Sequence, residues 1–311
     1  MRALHNKHQT LTLSDVAAEP IRRSGEVKVQ VHYASLNPTD ADIARGDLDL
    51  FLWLYRSRSL VRTGLEFSGT VMEGTARFAK GAKVFGYTHL MKGPKTHQDI
   101  ISIPEDYIAN IPEGMSFAQA AAFPLGAQTS LVALRDVAGL TKEKSVLILG
   151  ASGGLGVYAI QIAKALQLSV TAVAGPSGQK IMTDLGADQV IDYRQTPLEK
   201  IEGTFDAVLD LSARYRFNEI RHLLTTNGVF VPADPMKNLS TTAGNVFRHK
   251  KAGFLMVEHG NHSLLTELAG WITDGSLKIG PYAEFDFDDF EAAFASLGEP
   301  GRIGRTVLRL R

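Results

Sequence analysis

The sequence contains no cysteine among its 311 residues. Three kinds of chemistry are therefore excluded: disulfide cross-links, thiolate nucleophiles and zinc sites built from cysteine sulfur. The absence also fits the reducing cytoplasm, where disulfides are rare, and we expect that location.

An excess of either charge is also missing, since 33 Lys and Arg residues balance 33 Asp and Glu residues. The basic surface that attracts nucleic acid or an anionic membrane is therefore not expected. Long apolar runs are lacking too, and none approaches the roughly 20 residues needed to span a bilayer. The first residues, Met1 to His5, do not form the apolar segment of a secretory signal. These absences predict a cytoplasmic protein whose partners are neither nucleic acids nor membranes.

Before about residue 115, short β-type segments alternate with turns. In the first of them Val27, Val29 and Val31 point to one face of a strand, while Lys28 and Gln30 point to the other. Similar segments, punctuated by Gly and Pro, follow at 65–71, 83–86 and 99–103. The pattern predicts a compact, mainly antiparallel, β-rich unit.

After that point, strand-type and helix-type segments alternate. The predicted strands cover residues 145–149, 169–174, 189–191, 205–211, 228–231 and 253–257, and the clearest helices cover 153–166, 178–185 and 216–224. Alternation with short links is typical of βαβ units and predicts a doubly wound parallel sheet. The tail from His262 contains two more helices and two more strands. The last strand, 305–310, has no helix after it and could return to the first unit.

The most informative segment joins a buried-type strand to a helix through a glycine turn. Apolar residues 146–149 precede Gly150, and the spacing Ala151-x-Gly153-x-x-Gly156 matches the dinucleotide-binding pattern, with alanine in the first position. Small residues let the backbone approach a pyrophosphate, and the N-terminus of the following helix offers unpaired N–H groups to it. We therefore predict that the turn binds a dinucleotide. The residues assigned to it are Ala151, Ser152, Gly153, Gly154, Leu155 and Gly156.

The next strand indicates which dinucleotide is bound. An NAD site has an acidic residue about 20 residues beyond the glycine turn, where it binds the ribose 2′-hydroxyl. Gly175 stands near this place, and no acid occurs before Asp184. The residues expected around the 2′ position are instead Ser177, Lys180 and Tyr193. Because a 2′-phosphate is an anion, this set favours NADPH; the alternative is that Lys180 and Arg194 are solvated surface cations.

Several blocks of the sequence, in this order, resemble the medium-chain dehydrogenase/reductase superfamily and, within it, the zinc-independent quinone oxidoreductase branch. The blocks are residues 35–40 (SLNPTD), 64–71 (GLEFSGTV), 120–124 (AAAFP), 150–156 (GASGGLG), 185–188 (LGAD) and 205–210 (FDAVLD). The resemblance implies an α/β protein with two domains. A GroES-like β-rich catalytic domain would comprise residues 1–122 and 260–311, and a Rossmann domain with a doubly wound parallel sheet would comprise residues 123–259.

The resemblance also implies how the domains and the subunits meet. The active site is expected in the cleft between the two domains. A homodimer is expected, formed by the edge strand at 253–257 pairing with its copy, since an exposed apolar edge otherwise invites aggregation.

The same resemblance bears on metal binding. The alcohol dehydrogenase branch binds zinc through a cysteine, a histidine and a second cysteine, and the matching positions here are Asn37, Leu65 and about Leu125. None of these is a zinc ligand in this form, and the nine histidines are scattered without ligand spacing. We expect no metal. Without a Lewis acid, the implied chemistry is hydride transfer from NADPH to an electron-poor acceptor, either a quinone or an α,β-unsaturated carbonyl.

Residues of the catalytic cleft are assigned through the resemblance. Asn37 is expected to donate a hydrogen bond to the substrate oxygen or the nicotinamide ribose; an Asn-Pro turn at the strand end is the alternative. Thr129 is expected beside the nicotinamide ring. Phe254 and Leu255 are expected where the last strand of the sheet meets the nicotinamide, although most such residues belong to a core. Segment 51–58, apolar then basic, is interpreted as a wall of the substrate cleft or as a buried helix.

Three functions stay open from the sequence. The first is an NADPH-dependent reductase of quinones or enones. The second is an NADPH-binding protein of the crystallin or sensor kind, because no residue is an unmistakable acid or nucleophile. The third is an enoyl-thioester reductase, which would need a tunnel for a pantetheine arm. In both enzymatic cases NADPH is the cofactor and a small electrophilic molecule is the substrate.

Overall fold

The structure is a computed structural model that describes residues 1–7, 9–15, 19–49, 54, 61, 63–247 and 249–311. Its two large sheets define two units, one β-rich and one with a parallel sheet and helices. Within these ranges no helix is long and apolar enough to cross a bilayer. Segment 51–58, interpreted above as a cleft wall, lies outside the described residues except for Leu54, whose side chain is exposed.

The elements are numbered in chain order. The strands are β1 Arg2–Lys7, β2 Thr10–Asp15, β3 Glu26–Leu36, β4 Glu66–Glu73, β5 Lys83–Tyr87, β6 Ile100–Pro104, β7 Ile108–Asn110, β8 Ser145–Leu149, β9 Ser169–Ala174, β10 Gln189–Asp192, β11 Phe205–Asp210, β12 Leu224–Pro232, β13 Lys251–Ala252, β14 Tyr282–Asp286 and β15 Arg305–Arg309. The helices are α1 Pro38–Arg45, α2 Phe117–Ala121, α3 Pro124–Leu131, α4 Gly156–Ala165, α5 Gln179–Asp184, α6 Phe217–Ile220, α7 Leu239–Ala243, α8 His262–Thr273 and α9 Phe290–Ser296.

The β-rich unit is a seven-stranded sheet with the order β14-β15-β3-β4-β5-β7, and β6 joins it by pairing with β3. All of its pairs are antiparallel except β14 with β15. Strand β3 alternates as predicted, with Val27, Val29 and Val31 buried. Strand β15 lies against β3 with Thr306 opposite Leu36, so the last predicted strand does return to the first unit.

The second unit is a six-stranded sheet with the order β10-β9-β8-β11-β12-β13, and every pair in it is parallel. The predicted doubly wound sheet is therefore confirmed. In β8, Val146 and Ile148 share a core with α4, while Leu147 and Leu149 share a core with α6, so the strand is buried on both faces. The strand order reverses between β8 and β11, and dinucleotides bind in the crevice at such a reversal.

The edge strand of this sheet is shorter than the sequence predicts. A strand was expected at 253–257, but β13 covers only Lys251–Ala252, and Gly253 makes the last backbone bond to β12. Beyond it the chain turns toward the β-rich unit, where the carbonyl of Glu258 accepts from the N–H of Leu90 at 2.7 Å. The predicted strand was wrong in position, since none of residues 253–257 is in a strand. The contact between the units draws the chain away from the sheet there, and the local sequence pattern does not contain that contact.

The border between the units falls near helix α8. Its Leu265 and Leu268 pack in the same core as α4 and β8, so the helix lies against the parallel-sheet unit. We propose the division implied by the sequence, with residues 1–122 and 260–311 forming the catalytic domain and residues 123–259 the nucleotide-binding domain. In this division α8 belongs to the first domain by chain position while its buried face packs on the second.

Candidate active site and cofactor cleft

The glycine turn between β8 and α4 is shaped by contacts that exclude larger side chains. Gly150 has a φ of +76°, a conformation that L side chains rarely adopt. A side chain on Gly156 would begin 2.3 Å from the carbonyl oxygen of Ala151, so only glycine fits where α4 starts. Between them the N–H of Gly153 donates to the carbonyl of Gly150 at 3.1 Å. The turn therefore has the tight geometry that close approach of a phosphate requires.

The chain that enters β15 lies directly on this turn. The N–H of Gly304 donates to the carbonyl of Ser152 at 2.8 Å, and Gly304 forms a parallel bridge with Gly153. A side chain on Gly154 would begin 2.6 Å from the Cδ atom of Arg305. The turn of the nucleotide-binding unit is thus bounded by a segment of the β-rich unit.

Two of the residues assigned to the 2′ position, Tyr193 and Ser177, lie close to Gly175, the first in space and the second in the same loop. A side chain on Gly175 would begin 3.2 Å from the Cε1 atom of Tyr193, so the tyrosine ring occupies the space next to the position of an NAD-type acid. Ser177 follows in the same loop, and its hydroxyl donates to the carbonyl of Gly301 at 3.3 Å. The structure thus places Tyr193 against Gly175, with Ser177 two positions further along the same loop.

Lys180 stands apart from that group. Its ammonium pairs with the carboxylate of Asp184, one turn later on α5, at 2.6 Å, and its side chain is 85% exposed. Such an exposed pair contributes about 0.3–0.5 kcal/mol and is screened by salt. The structure therefore places Lys180 on a solvated helix face, which is the alternative interpretation of this residue.

At the other end of the turn, helix α3 packs against the start of α4. The hydroxyl of Ser130 donates to the carbonyl of Leu155 at 3.0 Å. The neighbouring Thr129 is buried, and its Oγ1 has no hydrogen-bond partner among the residues that the structure describes. Leu255 is buried in the core of the nucleotide-binding unit, whereas Phe254 is 40% exposed. Of Thr129, Phe254 and Leu255, only Thr129 therefore has a side-chain polar group that could bond to a ligand.

Asn37 is buried at the junction of β3 and α1, with both ends of its side chain bonded. Its Nδ2 donates to Oε2 of Glu66 at 3.0 Å, and its Oδ1 accepts from Nη1 of Arg305 at 2.9 Å. Its backbone N–H donates to Asp40 at 2.8 Å, which orients the start of α1. Arg305 also makes a close ion pair with Glu66, and neither side chain is exposed by more than 2%. The amide of Asn37 is thus held by a guanidinium on one side and a carboxylate on the other.

The carboxylate of Glu66 lies among the three positions that match zinc ligands in relatives. Besides Asn37, it accepts the backbone N–H of Leu125 at 2.8 Å, and Leu65 precedes it in the chain. A bound cation here would face the guanidinium of Arg305, whose pKa burial lowers only to about 10, so that it stays charged at neutral pH. Over the described part of the chain, no group of three or more His, Asp or Glu could hold a metal. The donor set does not fit zinc.

Two charged members of this network, Glu66 and Arg305, were not predicted from the sequence. Glu66 stands inside one of the family blocks and Arg305 opens the last strand, so each was visible as a charged residue in a largely apolar segment. Their pairing was not predictable, because it joins residues 239 positions apart. The role of Asp40 was not predicted either. Its carboxylate accepts the N–H of Gly64 at 2.6 Å and that of Asn37.

A buried lysine lies near the same network. Lys95 is 3% exposed, and its ammonium donates to the carbonyls of His89 at 3.2 Å and Leu90 at 2.6 Å. Burial lowers the pKa of Lys95 to about 8, while the carboxylate of Asp40 opposes part of that change. Lys95 therefore stabilises the loop after β5, in which the N–H of Leu90 also bonds to Glu258.

Comparison with known proteins identifies the family. Residues 23–133 match the family described as alcohol dehydrogenase GroES-like domain, and residues 185–308 match the family described as zinc-binding dehydrogenase. The chloroplast envelope quinone oxidoreductase homolog of Arabidopsis thaliana is 31% identical over 236 residues, which cover 72% of this chain and 70% of that protein. The chain belongs to the medium-chain dehydrogenase/reductase superfamily of nicotinamide-dependent oxidoreductases, in its quinone oxidoreductase branch, as the motif blocks predict.

Other relatives cover this chain to different extents. The mitochondrial NAD(P)H oxidoreductase RTN4IP1 of Homo sapiens is 33% identical over 226 residues, or 66% of this chain, and the match spans only 57% of that protein. The 2-methylene-furan-3-one reductase of Solanum lycopersicum is 27% identical over 317 residues, 96% of this chain and 75% of that protein. The solved quinone oxidoreductase of Coxiella burnetii has the same fold, with a TM-score of 0.87 at 26% identity, covering 100% of this chain and 98% of that one.

Proposed function

We propose that this protein is an NADPH-dependent reductase that transfers hydride to quinones or α,β-unsaturated carbonyls without a metal. One observation carries the proposal: the buried pair of Glu66 and Arg305, bonded to Asn37, fills the place where relatives would bind zinc, directly beside Gly154 of the glycine turn. The side chains of Glu66, Arg305 and Asn37 thus occupy the position at which a zinc ion would act as a Lewis acid.

The residues of the cleft fit a nicotinamide dinucleotide. The turn at Gly150 and Gly156 accommodates a close-lying phosphate, and the buried hydroxyl of Thr129 lacks a partner among the described residues. A buried polar group without a partner costs about 1–3 kcal/mol, so a ligand that bonds to it gains affinity. Support for NADPH over NADH comes from Gly175 and from Tyr193, whose ring leaves little room for an acidic side chain there. When bound, the cofactor supplies a hydride at its nicotinamide.

The substrate class follows from charge. Oxidation of an alcohol passes through an alkoxide, which needs a metal or a strong acid beside it. Reduction of a quinone or enone instead spreads the added charge over several atoms, so modest hydrogen-bond donors suffice. Asn37 uses one of its two amide N–H groups for Glu66, and its proposed role is to donate the second to a substrate oxygen or the nicotinamide ribose. The tomato relative is named as the reductase of an unsaturated ketone, which supports the enone class.

The test is turnover with NADPH on a matched panel of one quinone, one enone, one enoyl thioester and one secondary alcohol. We expect oxidation of NADPH with the quinone or the enone and no useful rate with the alcohol and NADP⁺. Turnover confined to the thioester would replace the proposal with enoyl-thioester reduction. Binding of NADPH without turnover of any member would favour a binding or sensor protein.

We propose further that the protein acts in the cytoplasm as a homodimer, formed through segment 253–257 and the neighbouring sheet edge at β13. Phe254 and Met256 in this segment, which directly follows β13, are 40% and 46% exposed. Apolar side chains on a sheet edge are commonly covered by a second copy. Sedimentation at micromolar concentration tests this, and a monomeric mass would contradict it.

A further inference from the structure

The chain 301–304 contacts two parts of the proposed cofactor site. At one end, Gly304 donates its N–H to Ser152 in the glycine turn at 2.8 Å. At the other end, Gly301 accepts the hydroxyl of Ser177, in the loop after β9, at 3.3 Å. In dinucleotide-binding sheets the first place faces the pyrophosphate and the second faces the adenosine ribose. This one segment of the β-rich unit therefore spans the phosphate side of the cleft.

Arg302 lies in the middle of that segment, with its guanidinium beside the glycine turn. Its Nη1 donates to the carbonyl oxygen of Gly304 at 3.0 Å. That oxygen lies 3.3 Å from the point where a side chain on Gly154 would begin. Arg302 is partly buried, and the bond to Gly304 holds its guanidinium at the segment that contacts the turn.

The charge of Arg302 has no counter-charge in the described structure. No carboxylate oxygen in these residue ranges comes within 4.0 Å of its guanidinium. Burial alone lowers the pKa of Arg302, and no neighbouring charge contributes. Withdrawing an arginine from water without an anion beside it costs free energy, which a bound anion would recover.

A second donor in the same place is also unsatisfied. Nε of Arg305 is buried and has no hydrogen-bond partner among the described residues, although the other nitrogens of this guanidinium bond to Asn37 and Glu66. Its Cδ atom packs against Gly154. The guanidinium groups of Arg302 and Arg305 thus both lie near the turn, and that of Arg305 has an unbonded N–H donor among the described residues. Guanidinium groups match the geometry of phosphate oxygens well.

We propose that Arg302 binds the pyrophosphate of the nicotinamide dinucleotide, as a cation that the β-rich unit places opposite the start of α4. The inference rests on the proposed function, since it concerns the same cleft. The contact of its guanidinium with Gly304, beside Gly154, assigns it to the pyrophosphate, which NADH and NADPH share. The 2′-phosphate is left to the group around Ser177 and Tyr193.

The experiment compares Arg302→Ala with the unaltered protein by titrating NADPH, NADH and ADP-ribose in a calorimeter. Loss of one charged hydrogen-bonding partner should weaken all three by a similar factor, about 10- to 100-fold. Arg302→Lys should recover part of the affinity, because a lysine keeps the charge and loses the forked donors. Arg23→Ala is the matched control: it removes one exposed arginine far along the chain from the turn and should change affinity less than twofold.

The outcomes separate this inference from the proposed function. Unchanged affinities in Arg302→Ala, with the native melting temperature, would overturn the role of Arg302 while leaving the reductase intact. Weakening of NADPH alone would overturn the assignment to the pyrophosphate. Failure of the unaltered protein to bind any of the three nucleotides would overturn both the inference and the proposed function. Equal weakening of the three, with the control unchanged, is the expected result.

Discussion

Arg305 of β15 is ion-paired with Glu66 of β4, and both side chains are buried although 239 positions separate them. The pair bonds to Asn37 from both sides and lies against Gly154 of the glycine turn. It therefore brings strand β15, the proposed donor Asn37 and the glycine turn together in one place. The pair also sets what each substitution nearby should do.

Glu66→Gln should destabilise the protein strongly, because it leaves Arg305 charged and buried without a counter-ion. Breaking a buried pair in this way costs about 3–5 kcal/mol. Urea unfolding gives the difference in the free energy of unfolding. Glu73→Gln is the control, since Glu73 is 53% exposed and pairs with Lys28 at the surface, so its loss should be below about 1 kcal/mol. Equal, small losses would mean that the buried pair is energetically unimportant.

Asn37→Ala should slow turnover much more than it weakens NADPH. If the free amide N–H of Asn37 points at the oxygen that gains charge, losing it lowers kcat by about 10²–10³. NADPH affinity should stay within a few-fold. Steady-state kinetics and cofactor titration on the same folded sample measure both, with Asn110→Ala at the exposed end of β7 as the control. A native rate in Asn37→Ala would make Asn37 only the residue that starts α1.

Preference for NADPH should depend on Tyr193 and Ser177 more than on Lys180. Lys180→Ala removes an exposed cation that already pairs with Asp184, so it should change the NADPH to NADH affinity ratio only a few-fold. Tyr193→Ala and Ser177→Ala should lower the ratio more, because both side chains lie beside Gly175 or its loop. Fluorescence titration with both cofactors decides the order. If Lys180→Ala alone abolishes the preference, the prediction is wrong, and Lys180 must leave Asp184 to bind the cofactor.

The buried lysine predicts a pH dependence of stability. The pKa of Lys95 falls to about 8 in the folded protein from its usual value of 10.5, so between these pH values the unfolded chain holds more protons than the folded one. The free energy of unfolding should therefore rise with pH in this window, by up to about 1.4 kcal/mol per unit. Lys95→Met should lose that rise. Urea unfolding of both proteins at pH 7, 8, 9 and 10 tests it, and parallel pH profiles would contradict it.

Chelators should not inactivate the protein. The positions matching zinc ligands hold Asn37, Leu65 and Leu125, and Arg305 places a positive charge among them. Prolonged dialysis against a chelator should therefore leave the NADPH-dependent rate unchanged. Elemental analysis of the purified protein should find far less than one zinc per chain; stoichiometric zinc would refute metal-free catalysis.

Local pattern was enough to predict the strand, turn and helix around Gly150. Every signal there lies in one continuous stretch from Ser145 to Ala165: buried apolar positions in β8, small residues in the turn and an apolar stripe on α4. The alternating valines of β3 are of the same kind. Elements whose determinants are close together in the chain could therefore be predicted from sequence alone.

Elements whose determinants lie far apart could not. The edge strand was predicted at 253–257 but lies at 251–252, because Leu90, from the other unit, bonds to Glu258 and draws the following chain away. Arg302 had no motif at all, and its position follows only from the docking of the chain before β15 on the glycine turn.

The bond between Gly304 and Ser152 has a consequence for the order in which the protein folds during synthesis. The glycine turn, its helix and the strands beside it precede residue 301 in the chain, so a ribosome exposes them first. Arg302 and Arg305 emerge later, and β15 must then insert beside β3, made near the beginning of synthesis. A nascent chain therefore has the glycine turn before Arg302 and Arg305 are in place beside it. Tight binding of the cofactor would thus report that β15 has paired with β3.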